Sequence, residues 1–232
     1  MSIDEQPLEI FQCEQGSEEW YLARAGIPTA SEFQTLLMEG KAKGTPSATR
    51  RTYMLQLIGE QLTGKVEQYS NFHMERGKAL EPEARDLYKF VYSRTVRPVG
   101  FIRRGRVGAS PDALVDNDGL LEIKTKLPHL QIDLILKDQV PTEHKAQIQG
   151  QLWLADREWL DFVSYWPGLP LFVKRVERDE VYIETLAQAV DKFLTEMDET
   201  MGQLKEITFV EPRHFKTMFD NLDSGETNGK ST

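Results

Sequence analysis

The chain of 232 residues is long enough to bury one full hydrophobic core, and its single cysteine, Cys13, excludes an intramolecular disulfide framework. No apolar run reaches the roughly 18 residues that a membrane-spanning helix needs, and no succession of basic, apolar and small residues marks a secretory signal. The net charge of −9 argues against a surface coated with basic side chains, although an acidic exterior can coexist with a basic channel. We therefore expect a cytoplasmic protein with no membrane partner, built as one domain over residues 1–220 with a disordered polar tail over 221–232.

Hydrophobic periodicity predicts an α/β fold of the mixed α+β kind, in which helices flank a small central mixed β-sheet. Near the N-terminus, Thr29-Ala30-Ser31-Glu32 is a capping-box sequence and predicts the start of a helix that runs through Leu36 to Met38. The later elements are predicted as helices over 47–62 and 78–92, a strand over 95–104, a hairpin of strands over 113–115 and 119–125, a helix over 142–155, strands over 159–165 and 171–176, and a long helix over about 179–204.

The predicted hairpin carries three charged side chains toward one place. Positions i and i+2 of a strand face the same side, so Glu122 and Lys124 project together while Leu121 and Ile123 face the core. The partner strand brings Asp112 back beside Glu122. Two carboxylates and one ammonium group then converge, either as a salt-bridged patch or as a site that holds a metal ion.

The ligand preferences of magnesium are compatible with a metal site. The ion prefers oxygen ligands and takes only one or two protein carboxylates, which leaves positions for water and substrate phosphate. Asp112 and Glu122 meet that need, and Lys124 could orient or help to deprotonate a metal-bound water. The alternative is an exposed Glu-Lys pair on a hairpin edge, which is the commoner meaning of an isolated Glu-x-Lys. The preceding Ser110-Pro111 segment, which places the aspartate at a strand start, shifts the balance toward a site.

A second candidate site lies at the predicted helix start near Thr29. Free backbone N–H groups at such a start attract anions, and Arg24 just upstream could supply a bidentate partner for a phosphate group. The alternative is an ordinary capped helix with Arg24 in a surface ion pair. Both interpretations remain open on these residues alone.

Five segments of the chain, in this order and spacing, resemble the phage lambda exonuclease family, the YqaJ-type viral recombinases. They read ARAGIPTASEF, GKALEPEAR, GASPDAL, LLEIKTK and AQIQGQLW, and the resemblance spans most of residues 14–210. These alkaline exonucleases belong to the restriction-endonuclease-like nucleases with a PD-(D/E)XK core, for which Pro111-Asp112 and Glu122-Ile123-Lys124 are the matching residues. The resemblance implies that fold for the single domain over 1–220.

The resemblance also implies roles for individual residues. Asp112, Glu122 and the backbone carbonyl of Ile123 would bind the metal ions, Glu81 would join them from its helix, and Lys124 would act on the water. The positions that hold the terminal 5′-phosphate of the DNA strand in the family are matched by Arg24, Thr29, Ser31, Ser110 and Gln149.

Two of these assignments can be weighed in the sequence itself. Glu81 is predicted near the start of the helix over 78–92, where Pro82 is tolerated in the first turn and a carboxylate interacts favourably with the helix dipole. The plain alternative is an ordinary glutamate of a first helical turn. The broader nuclease group often has Gln followed four residues later by Tyr, whereas Trp153 follows Gln149 here, so no hydroxyl group is expected at that position.

By this resemblance the chain is expected to be a magnesium-dependent deoxyribonuclease that degrades the 5′-ended strand of linear double-stranded DNA to nucleotides and leaves a 3′ single-stranded overhang for recombination by strand annealing. Two Mg²⁺ ions per active site are implied, with Mn²⁺ as a substitute, together with a homotrimer ring and a single-strand annealing protein as partner. The alternatives are an endonuclease of the same fold, which would cut closed circular DNA, and a non-catalytic DNA-binding module. The intact set of Asp112, Glu122 and Lys124 argues against the latter.

Overall fold

The computed structural model describes residues 3–42, 44–66 and 71–208, so the predicted tail over 221–232 lies outside the described residues. The chain divides into two units, Met1–Leu194 and Thr195–Thr232. All described strands belong to the first unit. Within the described ranges, no helix combines the length and the apolar character needed to cross a membrane.

The helices predicted over 47–62, 142–155 and 179–204 are confirmed to within a few residues. The α-helices of the described residues are α1 (Glu18–Arg24), α2 (Phe33–Leu36), α3 (Ala48–Thr63), α4 (Phe72–Tyr92), α5 (Pro128–Lys137), α6 (Lys145–Ala155) and α7 (Glu180–Thr208), with short 3-10 helices at Ile3–Glu5, Ala30–Glu32 and Thr142–His144. Ser47 shows why α3 begins where the sequence predicts, because its hydroxyl accepts a hydrogen bond from the backbone N–H of Arg50 at 3.1 Å.

The strands form two sheets instead of the single central sheet that the sequence predicts. An antiparallel sheet has the strand order β1 (Leu8–Phe11), β3 (Phe101–Arg104), β4 (Val107–Ala109). A five-stranded sheet has the order β2 (Val96–Pro98), β5 (Ala113–Val115), β6 (Gly119–Lys124), β7 (Trp159–Ser164), β8 (Phe172–Glu177). This second sheet is mixed because β6 and β7 are parallel. The α/β fold class with a mixed sheet flanked by helices is confirmed.

Helices cover both faces of the five-stranded sheet, and successive apolar side chains of β6 pack against helices on opposite faces. Leu120 lies in a buried cluster with Leu134 of α5 and Leu152 of α6. Leu121 lies in a different buried cluster with Tyr88 of α4. A strand buried on both faces is typical of a parallel pair. Polar side chains of this strand therefore enter packed layers of the protein.

Helix α4 begins at Phe72, six residues before the predicted start, which corrects the interpretation of Glu81 and Pro82. Asn71 caps the helix, since its side-chain oxygen accepts two backbone N–H groups of the first turn at 2.9 and 3.0 Å. Pro82 consequently lies in the helix interior. Glu81 lies more than two turns from the helix start, where the dipole has little effect on a carboxylate.

The single strand predicted over 95–104 is also wrong, because the chain passes from one sheet to the other within it. Strands β2 and β3 are separated at Val99 and Gly100. The backbone N–H of Gly100 donates to the carbonyl of Phe11 at 3.1 Å. A Cβ atom at Gly100 would lie 2.2 Å from the carbonyl oxygen of Cys13, so only glycine permits this close approach of the N-terminal segment.

Candidate active site

Strand β6 presents Glu122 and Lys124 on the same side, as the strand period predicts. The Nζ of Lys124 lies 2.5 Å from Oε1 of Glu122, and only 4% of the Glu122 side chain is exposed. Glu122 is thus buried, and Lys124 is half-buried beside it. This is therefore not the exposed pair on a hairpin edge that was the alternative interpretation.

The antiparallel pairing of β5 with β6 brings Asp112 to this pair. The backbone N–H of Asp112 donates to the carbonyl of Leu121 at 3.0 Å, and its Oδ2 accepts from the backbone N–H of Ile123 at 2.5 Å. Desolvation and the charges of Glu122 and Glu81 raise the pKa of Asp112 well above its ordinary value. Carboxylates that disfavour one another's ionisation in this way are stabilised by a nearby cation.

The Glu81 carboxylate reaches this cluster from α4. Its Oε1 accepts a hydrogen bond from Nη1 of Arg85 at 2.7 Å, one helical turn away. Burial raises the pKa of Glu81, Arg85 opposes that shift, and the charge of Glu122 adds to it. Glu81 therefore lies near enough to Glu122 and Asp112 for their charges to affect one another's pKa.

Lys124 remains an ammonium group in this environment. Burial alone lowers the pKa of Lys124, but the carboxylates of Glu122 and Asp112 raise it by more, so the net shift is upward. A protonated lysine can orient a water molecule or donate a proton, but it must lose its own proton before it can act as a base. This geometry narrows the role that the sequence predicts for Lys124.

The cluster suits a hard divalent cation by its chemistry, since carboxylate and carbonyl oxygens are the ligands that Mg²⁺ prefers. Asp112, Glu122, Glu81 and the carbonyl of Ile123, the predicted ligands, offer oxygen donors of this kind. In the described ranges, however, no group of three or more His, Cys, Asp or Glu side chains is arranged to hold a metal ion. In this arrangement the ammonium group of Lys124 provides the compensating positive charge at Glu122.

Two glutamines of α6 that received no role in the sequence analysis complete the surroundings of Glu122. The Nε2 of Gln147 donates to Oε1 of Glu122 at 2.7 Å, and the Nε2 of Gln151 donates to Oε2 at 2.7 Å. Residues four apart lie on the same face of a helix. The four-residue spacing that places both amides on Glu122 starts at Gln147 rather than at Gln149, and a glutamine, not a tyrosine, stands at its fourth position.

Four of the five predicted phosphate-binding residues form one chain of contacts. Nη1 of Arg24 donates to the hydroxyl of Ser110 at 3.2 Å, and Nη2 lies 3.5 Å from the hydroxyl oxygen of Thr29. The hydroxyl groups of Thr29 and Ser31 share a hydrogen bond of 3.1 Å. The Thr29 side chain does not cap the short helix that follows, so the capping-box interpretation is wrong and this hydroxyl group is turned toward Arg24 instead.

Trp20 of α1 holds both Arg24 and Ser110 in place. Its Nε1 donates to the carbonyl of Gly100 and to the hydroxyl of Ser110, both at 3.0 Å, and Cζ of Arg24 lies 3.9 Å from the ring centroid. Burial lowers the pKa of Arg24, and the strongest opposing influence is Tyr53. A pre-oriented, partly desolvated guanidinium group with hydroxyl groups beside it is well suited to bind a phosphate.

The two groups of residues are reached from adjoining cavities. A cavity of about 680 Å³ is lined by Arg24 and Thr29, and another of about 840 Å³ is lined by Glu81 and Lys124. The residues that line both cavities are Trp20, Tyr21 and Met74. We call Arg24, Thr29, Ser31 and Ser110 the predicted phosphate-binding group. One ligand could contact this group and the carboxylate cluster together, because the two cavities adjoin.

Gln149 does not join the other predicted phosphate-binding residues. Its Nε2 donates to the carbonyl of Glu177 at 2.9 Å, and its Oε1 accepts from the backbone N–H of Asp179 at 2.9 Å. Both polar atoms thus fasten the connection between β8 and α7. The phosphate-binding role of Gln149 stays a prediction that this geometry does not support.

Comparison with known proteins places the chain among recombination nucleases. The model of the YqaJ-like viral recombinase domain matches residues 19–158. The crystal structure of an alkaline exonuclease from Laribacter hongkongensis has a TM-score of 0.75 and 37% identity over 83% of this chain and 98% of its own, and the complex of that enzyme with dAMP gives the same values. A phage-related exonuclease from Haemophilus somnus 129PT shares the fold, with a TM-score of 0.58 and 15% identity over 77% of this chain and 96% of its own. No curated protein matches the chain significantly.

Proposed function

The chain belongs to the YqaJ-like viral recombinase domain family, and from this premise we propose that it is a magnesium-dependent exonuclease that degrades the 5′-ended strand of linear double-stranded DNA. Its products would be mononucleotides and a 3′ single-stranded overhang that serves recombination by strand annealing. Family membership and the similarity to an alkaline exonuclease support a nuclease that acts on DNA. The contacts around Ser110 support digestion that starts at the 5′ end and releases single nucleotides.

The observation that carries the proposal is the short segment Ser110-Pro111-Asp112, which joins the phosphate-binding group to the carboxylate cluster. The hydroxyl of Ser110 accepts from Arg24, and Asp112 lies two residues further along the chain. Two residues span at most about 7 Å, a distance that a single nucleotide can bridge. A terminal 5′-phosphate held by Arg24 would place the next phosphodiester at the carboxylates, so hydrolysis would release one nucleotide.

Asp112, Glu122, Glu81 and the carbonyl of Ile123 would hold the divalent ions, two in each site, with Mn²⁺ as a substitute for Mg²⁺. Bound ions of this kind polarise the phosphodiester, lower the pKa of water and stabilise the leaving oxygen. The ammonium group of Lys124, which Glu122 holds at 2.5 Å, would orient the attacking water.

Arg24, Thr29, Ser31 and Ser110 would convert binding at the strand end into orientation at the scissile bond. Contacts to a part of the substrate that does not react can align the part that does. The related Laribacter enzyme is known in complex with dAMP, a mononucleotide of the kind that this reaction would release. The same end contact explains why a 5′ end would be preferred to an internal bond.

The assembly and the biological partner are proposed from the family resemblance. A homotrimer ring would encircle the DNA. The assembly would stop at three chains, because a closed cyclic arrangement leaves no open interface for further growth. A single-strand annealing protein would act on the overhang. A single nuclease domain over residues 1–220 and a cytoplasmic location complete the proposal.

The decisive experiment is a digestion of linear duplex DNA labelled at the 5′ end of one strand and, in a parallel sample, at the 3′ end. With Mg²⁺, the 5′ label should appear at once as a mononucleotide, while the 3′ label should stay in a polynucleotide strand that shortens with time. Chelation of the metal should stop the reaction. Early release of the 3′ label would refute the polarity, cleavage of closed circular DNA would indicate an endonuclease, and binding without cleavage in Mg²⁺ or Mn²⁺ would indicate a non-catalytic module.

A further inference from the structure

We propose that Gln147 and Gln151 form an amide clamp that fixes the Glu122 carboxylate and leaves one defined position on it for a divalent cation. The inference rests on the metal site of the proposed function and concerns the residues behind it. Neither glutamine would touch the cation. Both are positioning residues that act through Glu122.

The clamp is defined by one hydrogen bond to each carboxylate oxygen. Gln147 donates to Oε1 and Gln151 donates to Oε2, each at 2.7 Å. Rotation of the carboxylate group about its last side-chain bond would break both hydrogen bonds together. A carboxylate held at one oxygen alone could turn toward whichever cation is nearest, which here is the ammonium group of Lys124.

The donors also determine how much of Glu122 remains free. An ionised carboxylate offers about four lone-pair positions, two on each oxygen. Gln147 and Lys124 occupy those of Oε1, and Gln151 occupies one of Oε2. The second position of Oε2 is the one that stays available to a cation while Lys124 is in place.

The surroundings of Gln151 support a role directed at Glu122. Gln151 is 1% exposed, and its Oε1 accepts no hydrogen bond from any residue that the structure describes. Turning the amide over would set its oxygen against Oε2 of Glu122, so the bond to Glu122 decides the orientation. A buried carbonyl without a partner is unfavourable for folding, and the gain from this glutamine therefore lies in its contact with the carboxylate.

Calorimetric titration of Mg²⁺ and of Mn²⁺ into the full chain tests the clamp without using nuclease activity. The variants are Gln147→Leu, Gln151→Leu and the double variant, because leucine fills a similar volume and cannot donate a hydrogen bond. Removing a partner that orients a metal ligand typically lowers metal affinity about 10- to 100-fold. We expect about tenfold for each single variant and up to about 100-fold for the double variant, with unchanged circular dichroism.

Gln56→Leu is the matched control. Gln56 Nε2 donates to Oε1 of Glu60 at 3.0 Å within α3, so the substitution removes the same kind of bond away from Glu122. Its metal affinity should equal that of the unmodified chain. An equal loss in this control would overturn the clamp, because the effect would then be a general one.

The remaining outcomes separate the clamp from the proposed function. Metal affinity retained in the double variant would overturn the clamp alone, since the unmodified chain would still bind metal and cleave DNA. An unmodified chain that binds neither metal would remove the proposed metal site, and the clamp with it. If the variants at the buried Gln151 do not fold, the half-buried Gln147 carries the test, and unchanged affinity in Gln147→Leu overturns the proposal.

Discussion

Replacing Arg24 should remove most of a preference for DNA ends that carry a 5′-phosphate. The guanidinium group lies over the ring of Trp20 and already donates to Ser110, so it is oriented before a ligand arrives. Burial disfavours the charged form of Arg24 and lowers its pKa. An anion beside the guanidinium group would offset that cost. A 5′-hydroxyl end offers no such anion. Phosphorylated duplex should therefore be digested faster than the same duplex with a 5′-hydroxyl.

The size of the preference follows from the contacts that a phosphate would make. A hydrogen bond to a charged group contributes about 1.5–3 kcal/mol, and about 1.4 kcal/mol corresponds to a factor of ten. The unmodified chain should thus favour the phosphorylated end roughly ten- to a hundredfold. Arg24→Ala should lose most of this factor. Arg24→Lys should keep part of it, since the charge remains but the planar fork of donors does not.

The assay compares initial rates on two duplexes that differ only in the 5′ end group. Initial rates are needed because a ring that has already threaded the DNA would conceal a slow first cut. Arg97→Ala is the control, since Arg97 is an exposed arginine of β2 outside the phosphate-binding group. Equal initial rates on both ends for the unmodified chain would refute the end-binding argument and leave the carboxylate cluster untouched.

Three further predictions test the chemistry, the assembly and the stability of the protein. Lys124→Ala should keep DNA binding while hydrolysis falls by on the order of 10²–10⁴, and Asp112→Ala should also weaken Mg²⁺ binding in calorimetry; cleavage by either variant at the unmodified rate in saturating Mg²⁺ would contradict the site. Light scattering should give a mass near three chains of 26.7 kDa, whereas a monomer at every concentration would exclude the ring. Burial, aided by Lys124 and Lys126, lowers the pKa of His144 from 6.5 to about 4. The unfolded chain therefore takes up this proton first, so stability should fall as the pH drops from 6.5 to 4, by roughly 1–2 kcal/mol because solvent and the Glu143 carboxylate 3.6 Å from Nε2 offset part of the shift, and urea unfolding of His144→Leu should lack that contribution.

The local patterns of the sequence were sufficient to place the carboxylates. Strand alternation predicted that Glu122 and Lys124 share a side, and the hairpin predicted that Asp112 returns beside them. Both predictions depend on neighbours within about a dozen residues, where the geometry of a strand pair fixes what meets. The same local reasoning failed for Pro82, because the cap at Asn71 lies before the segment whose periodicity was used to define the helix.

Burial of the site could not be predicted from the same patterns. The alternation of β6 suggested a polar face, but Glu122 faces two amides of α6 in a packed layer. Whether a polar strand position meets water or a helix depends on which element covers the sheet, and that is decided by residues about 25 positions away. Gln149 shows the converse, since it matches a family position while its amide is used by the backbone of Glu177 and Asp179.

Side chains of the N-terminal segment hold the Ser110-Pro111-Asp112 segment in place, and the proposed reaction depends on the length of that segment. Between β4 and β5 the chain leaves one sheet and enters the other, so the distance from Ser110 to Asp112 is also the distance between the phosphate-binding group and the carboxylates. Nε2 of Gln15 donates to the carbonyl of Pro111 at 3.0 Å, and Trp20 donates to Ser110 at 3.0 Å. These partners lie 96 and 90 positions apart in the chain, beyond the reach of any local pattern. Two side chains from the start of the chain therefore hold the spacing that would make a bound strand end deliver one nucleotide at a time.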